Sequence, residues 1–160
     1  LFRSVCYMGL NLFTGKCGFL FQDKIKFSDL MIILLVNLVS GYLLGYIYSY
    51  VDIDVFNNAI SKVGCWDFSI SFFIKSILCG TIMYIAVLMY KKGTPLGIIY
   101  GIPLFIFCSF QHCIANIITL GVARTFHPSI FLAIIGNFMG SLFIWYISKE
   151  TKEDKKKKKI

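Results

Sequence analysis

The sequence predicts an all-α membrane protein built as an inverted-repeat helical bundle. Three observations predict it. The chain has 160 residues, 58% of them hydrophobic, and a mean hydropathy of +0.76, richer in apolar residues than an ordinary soluble domain. Its apolar residues gather in stretches of bilayer length. And the chain resembles itself at a fixed offset of 100 positions, from Asn37 to Asn137.

A helix needs about 20 apolar residues to cross a bilayer. Four stretches qualify: Leu30–Tyr50, Phe68 or Phe72 to Tyr90, Leu96–Leu120 and Ile130–Ile147. A fifth, Val5–Phe21, is interrupted by Gly9, Asn11, Thr14, Gly15 and Lys16. Such a break is tolerated at membrane depth only where it packs in protein or lines a water-filled cavity; the alternative is a short surface loop before the first span. Residues 1–148 therefore read as a transmembrane domain, with the break at 12–16, and residues 149–160 as a basic tail.

Loop charge sets an orientation. Lys24 and Lys26, Lys91 and Lys92, and Lys149, Lys152 and the run Lys155 to Lys159 fall on one side if each segment crosses once. The opposite loops hold Asp52, Asp54, Lys62, Asp67 and Arg124. The excess of cations puts the first set in the cytoplasm. The net charge of +8 thus borders apolar spans and forms no nucleic-acid-binding face; the lysine tail reads as solvated and in contact with anionic membrane lipids. Six cysteines, with no Cys-x-x-Cys, suggest neither a disulfide framework nor a metal site, and no cofactor motif is present.

The repeat has two matching parts. Asn37-Leu38-Val39-Ser40-Gly41 resembles Asn137-Phe138-Met139-Gly140-Ser141, and at the same offset Gly9–Gly15 lies over Ser109–Ala115 with Asn11 over Gln111. Three spans per copy make the copies inverted in the membrane, and inverted copies with interrupted helices at matching places point to a midplane transport site. Ser40, Gly41 and Gly45, and Gly136 and Gly140, have the spacing of close helix crossings. Asn37 and Asn137 either join neighbouring helices or bond the broken backbone opposite.

One stretch carries the chemistry: Phe110-Gln111-His112-Cys113-Ile114-Ala115-Asn116. It places a titratable ring in the middle of an apolar segment, where such groups usually mark a substrate or proton path; the alternative is a ring hydrogen-bonded between helices. His127-Pro128 reads as a helix start in an outer loop.

Taken together, these residues resemble the formate/nitrite transporters. Leu12-Phe13-Thr14-Gly15 is similar to the family's loop that interrupts the second helix, Lys75–Gly80 with Ala86-Val87 to the opening of the fourth, Phe110–Asn116 to the fifth-helix signature, and Gly136–Gly140 to the sixth. The resemblance implies an aquaporin-like protomer of six spans, about four and a half of them present here, assembled as a homo-pentamer with one pore per protomer, in a bacterial plasma membrane. It implies transport of a small anion such as formate, nitrite or hydrosulfide. His112, Thr14 and Asn116 correspond to the family's central histidine, loop threonine and fifth-helix asparagine. Lys62 is the nearest match to its vestibule lysine; Lys75 matches a commonly basic position and reads as structural. One further span is expected upstream of Leu1.

On this reading Lys62 attracts the anion, Leu12, Phe13 and Phe107 are candidate apolar constrictions, and Thr14 and His112 supply polar contacts between them, with Asn116 orienting His112 or the loop. Ordinary helix packing is the alternative for Phe107. Histidine suits the position because its charge changes near physiological pH. The chain has Gln111 where the family usually has an acid, and an amide does not favour the imidazolium as a carboxylate would. It also has Gly80 where asparagine is usual. The competing function is an aquaporin-type pore for small neutral solutes, against which stands the absence of an Asn-Pro-Ala pair. No enzymatic motif is present.

Overall fold

The computed structural model describes residues 12–20 and 25–157, with side chains described as far as residue 148 except at position 19. Asn11, Lys24 and the part of the interrupted segment before Leu12 lie outside the described residues. Every regular element among the described residues is helical. They are α1 (Phe13–Lys16), prolonged by a single 3-10 turn (Cys17–Phe19), α2 (Phe27–Tyr48), α3 (Ile53–Gly64), α4 (Ile70–Lys91), α5 (Leu96–Phe107), α6 (Cys113–Val122) and α7 (Ser129–Lys157).

Among the described residues, three helices are long and apolar enough to cross a membrane: α2, α4 and the Ser129–Ser148 part of α7. Their outer faces are apolar too. Ile32, Leu35, Val39, Leu43 and Ile47 of α2, and Phe131, Ile135 and Phe143 of α7, are all exposed. Helices hydrophobic on every side belong in lipid, and the chain is accordingly an integral membrane protein.

The structure corrects two expectations. The apolar stretch Leu96–Leu120 is not one span: it is two short helices, α5 and α6, separated by residues 108–112. The stretch between α2 and α4 is not simply a loop, because α3 occupies most of it. Asp52 starts α3 by accepting hydrogen bonds from Asp54 N (2.8 Å) and Val55 N (3.3 Å), which satisfies amides that a helix start leaves unpaired. Ala59 and Val63, four apart, turn inward. Ser69 caps α4 in the same way, accepting from Phe72 N at 3.1 Å.

Helix ends are equally legible in the geometry. Beyond α5, Ser109 N–H bonds Ile106 O and Phe110 N–H bonds Phe105 O, both at 3.0 Å, with Ser109 at φ 51°. Beyond α6 the pattern recurs at Arg124, also at φ 51°, whose N–H bonds Gly121 O while Thr125 N–H bonds Leu120 O, both at 3.1 Å. This is the two-bond C-terminal cap that usually takes glycine at the left-handed position. After α4 that residue is Gly93; after α5 and α6 it is not.

Close crossings hold the bundle. A methyl group on Gly45 would collide with Ile118 O of α6, and one on Gly140 with Ile77 O of α4. Gly80 lies directly against the backbone of Asn137, so any side chain there would push α7 off α4. At one end of the bundle, Arg124 joins three elements. Its Nε donates to Ser49 Oγ (2.9 Å) at the end of α2, and its guanidinium lies 4.0 Å from the Tyr50 ring centre and 5.0 Å from that of Phe56 on α3. The cation faces aromatic rings and the carbonyl end of α2, both of which favour positive charge.

Candidate functional site

The site grows from the two helix breaks. Leu12 and His112 each precede a helix in an extended conformation, at φ −98°, ψ 132° and φ −97°, ψ 118°. The first amide of each helix finds the same partner. Phe13 N–H donates to Asn37 Oδ1 at 2.9 Å, and Cys113 N–H donates to Asn137 Oδ1 at 2.9 Å. All three matched positions, cap, first amide and asparagine, differ by 100 residues. Both amides bond the broken backbone, and Asn137 fills the other role open to it as well, joining a neighbouring helix. Asn137 also donates through Nδ2 to Ser76 O (2.7 Å) and Gln111 O (2.8 Å), so this fully buried side chain ties α4, α6 and the break together.

His112 sits where the two copies meet. Its Nδ1 accepts Ala115 N–H at 3.2 Å, so the ring caps α6 and must keep its lone pair on Nδ1. The proton of the neutral ring is therefore on Nε2. Nε2 lies 3.2 Å from Thr14 Oγ1 and donates to it. Thr14 is left with its own hydroxyl proton, which has no acceptor among the described residues. A second proton on the ring would break the cap and set a cation at the positive end of α6. Phe105 stacks on the imidazole at 5.6 Å between ring centres, with the planes 29° apart. His112 and Thr14 are both buried.

The neighbouring polar groups hold the break in shape. Asn116, buried on the first turn of α6, donates through Nδ2 to Gln111 Oε1 at 2.9 Å. It orients the loop and not the imidazole. Gln111 Nε2 reaches Ser109 O at a long 3.4 Å, and its side chain also lines a polar cavity of about 200 Å³ with Ser71 and Lys75.

Comparison with known protein families, curated proteins and solved structures found no match. The reading of the site therefore stands on its geometry.

The structure brings together His112, Thr14, Gln111 and Asn116. Phe13 is buried in the core, and Leu12 lines an apolar groove of about 510 Å³ with Asn37, Gly41, Ile114 and Ile118. Two residues stand elsewhere. Phe107 is 87% exposed and faces away from the site, because the last turn of α5 carries Phe105 inward in its place. Lys62 is exposed on α3 and does not line the polar cavity. Lys75, read from the sequence as structural, does line it. Phe105 and Lys75 are the residues that sequence reasoning passed over. Lys75 had a usable signal, a cation inside an otherwise apolar span; Phe105 had none, since helical spacing is lost across the five-residue break.

Chemically the arrangement is a donor pair in an apolar wall. A neutral imidazole can hydrogen-bond through Nε2 but cannot surrender that proton near neutral pH without becoming an anion itself. Thr14 can turn its hydroxyl toward a guest while His112 holds its oxygen.

Proposed function

We propose that the protein passes small monovalent anions of weak acids, such as formate, nitrite or hydrosulfide, across a membrane through a pore formed at the paired breaks of each protomer. The observation that carries this reading is the buried His112–Thr14 contact at the junction of two latched half-helices. An anion leaving water loses solvation that an apolar interior does not replace. A hydroxyl donor backed by a ring N–H restores part of it without adding a fixed charge that would trap the ion. The reading agrees with the formate/nitrite transporter resemblance, and with it we propose an aquaporin-like six-span protomer in a homo-pentamer, its lysine tail in the cytoplasm.

Because the ring is a cap and neutral, His112 acts as a hydrogen-bond donor and orienting group; a proton that joins the anion comes from solution. Proteoliposomes containing the purified protein test the proposal. Formate, nitrite or hydrosulfide should equilibrate at least about tenfold faster than in empty vesicles, with glycerol unchanged, because the donor pair discriminates by charge. Rapid glycerol or water entry without anion flux would favour the neutral-solute pore and overturn the proposal.

A further inference from the structure

Arg124 is exposed and only partly satisfied. Its Nε donates to Ser49 Oγ at 2.9 Å, and Nη2 donates to Ser49 O at 3.4 Å. A guanidinium carries five N–H groups, so the other three have no acceptor among the described residues, and no carboxylate pairs with it there. Asp52, at the start of α3, spends its carboxylate on the first amides of its own helix. The cation is nevertheless fixed in place, 4.0 Å from the Tyr50 ring centre and 5.8 Å from that of Tyr46. Tyr46, Tyr48 and Tyr50 are exposed, and tyrosines collect where the bilayer meets water. Arg124 is thus held at the level of lipid headgroups.

An apolar groove of about 390 Å³ runs from that level toward the middle of the bundle. Leu38 and Tyr42 of α2, Ile117 of α6, and Phe126, Phe131 and Ile134 at the start of α7 line it. Leu38, Tyr42, Tyr46 and Tyr50 recur every four positions, so the groove and the rings beneath Arg124 share one stripe of α2. Leu38 to Tyr46 is about 12 Å along the helix axis, close to half of the hydrocarbon thickness of about 30 Å. Val39 also lines the groove and is 51% exposed, so the groove opens sideways to lipid.

We propose that this face binds one glycerophospholipid, its phosphodiester on Arg124 and one acyl chain in the groove. Charge complementarity chooses the occupant. A fixed guanidinium with open N–H groups matches the paired oxygens of a phosphate, and the groove beside it is chain-like in depth and chemistry. The Tyr50 hydroxyl donates to the Tyr46 hydroxyl at 2.9 Å, which leaves the Tyr46 proton for a further phosphate oxygen. Because Arg124 already ties Ser49 of α2 to the turn after α6, the lipid would brace the crossing of these two helices. The inference is independent of the transport reading.

The test is a titration of the full chain in detergent with phosphatidylglycerol, bound lipid being counted by native mass spectrometry. Diacylglycerol with the same chains and inorganic phosphate serve as the two partial ligands. Phosphatidylglycerol should bind at least about tenfold more tightly than diacylglycerol, the worth of hydrogen bonds to a charged group, and inorganic phosphate should not bind. Arg124→Gln should abolish the preference for the phospholipid, and Arg124→Lys should keep part of it. Val39→Trp fills the groove without touching Arg124 and should weaken both lipids about tenfold; it also serves as the second variant if Arg124→Gln fails to fold. Equal affinity of the wild type for the two lipids would overturn the inference, as would unchanged binding in folded Arg124→Gln or Val39→Trp. A Val39→Trp protein that changes oligomeric mass while binding lipid normally would make the groove a contact between copies of the chain, and would overturn it too.

Discussion

His112 does two jobs with two nitrogens, and the division decides its chemistry. Nδ1 takes the Ala115 amide at 3.2 Å, while Nε2 faces Thr14 at 3.2 Å. Asparagine can imitate both, since it is among the best helix-capping residues and its amide nitrogen is a donor. We therefore expect His112→Asn to keep flux within about tenfold of wild type, with an unchanged pH profile over about pH 5 to 8, the range in which an ordinary histidine titrates. His112→Ala should lose both the cap, at about 1 kcal/mol of stability, and most of the flux. Parallel uptake curves for the three proteins check this. An inactive but folded His112→Asn would mean that the ring must take up and release protons. Lys75 shows a second lesson at this scale. Its charge was visible in the sequence, but which face of α4 it occupies depended on where α4 packs, and that is set by Gly80 and Gly140 against α7 and α4.

Among the elements, the break between α5 and α6 is the most informative. Sequence alone showed the offset repeat, the Asn37–Asn137 correspondence and an interruption in the first copy, because Gly15 and Lys16 mark it. Within Leu96–Leu120 only the repeat offset pointed to a matching interruption, and no local signal marked it. That stretch carries no glycine at the break, and its one proline, Pro103, lies inside α5. The break is imposed by tertiary bonds: Asn137 takes the first amide of α6 and the carbonyl of Gln111. The end of α5 then forces Ser109 to φ 51°, a conformation that costs an L-residue about 1–2 kcal/mol. Glycine avoids that cost but loses more chain entropy, so Ser109→Gly should gain about 0.5–1 kcal/mol net. Thermal unfolding in detergent, where this appears as a rise in Tm with flux retained, is the check; a fall in Tm would show that the serine side chain itself holds the turn. The helix α3 was legible in principle, from Asp52 and the inward pair Ala59 and Val63, but its polar residues resemble those of a loop.

For the whole molecule, the central claim is that two half-helices, each latched by its own asparagine, meet at one donor pair, and that anions pass there. Connectivity agrees with it: residues 49–56, 66–72 and 124–129 share one end through Arg124 and the Trp66–His127 contact, and the breaks lie within the apolar body. Thr14→Val tests the claim most directly. Valine keeps the shape of threonine and removes only the hydroxyl, leaving the Phe13–Asn37 latch in place. Formate uptake by proteoliposomes carrying Thr14→Val should fall by about 10²-fold, as when one preorganised donor is deleted, while the protein elutes and unfolds like the wild type. Wild-type formate flux through folded Thr14→Val would contradict the account, because the path would then not run past His112 and Thr14.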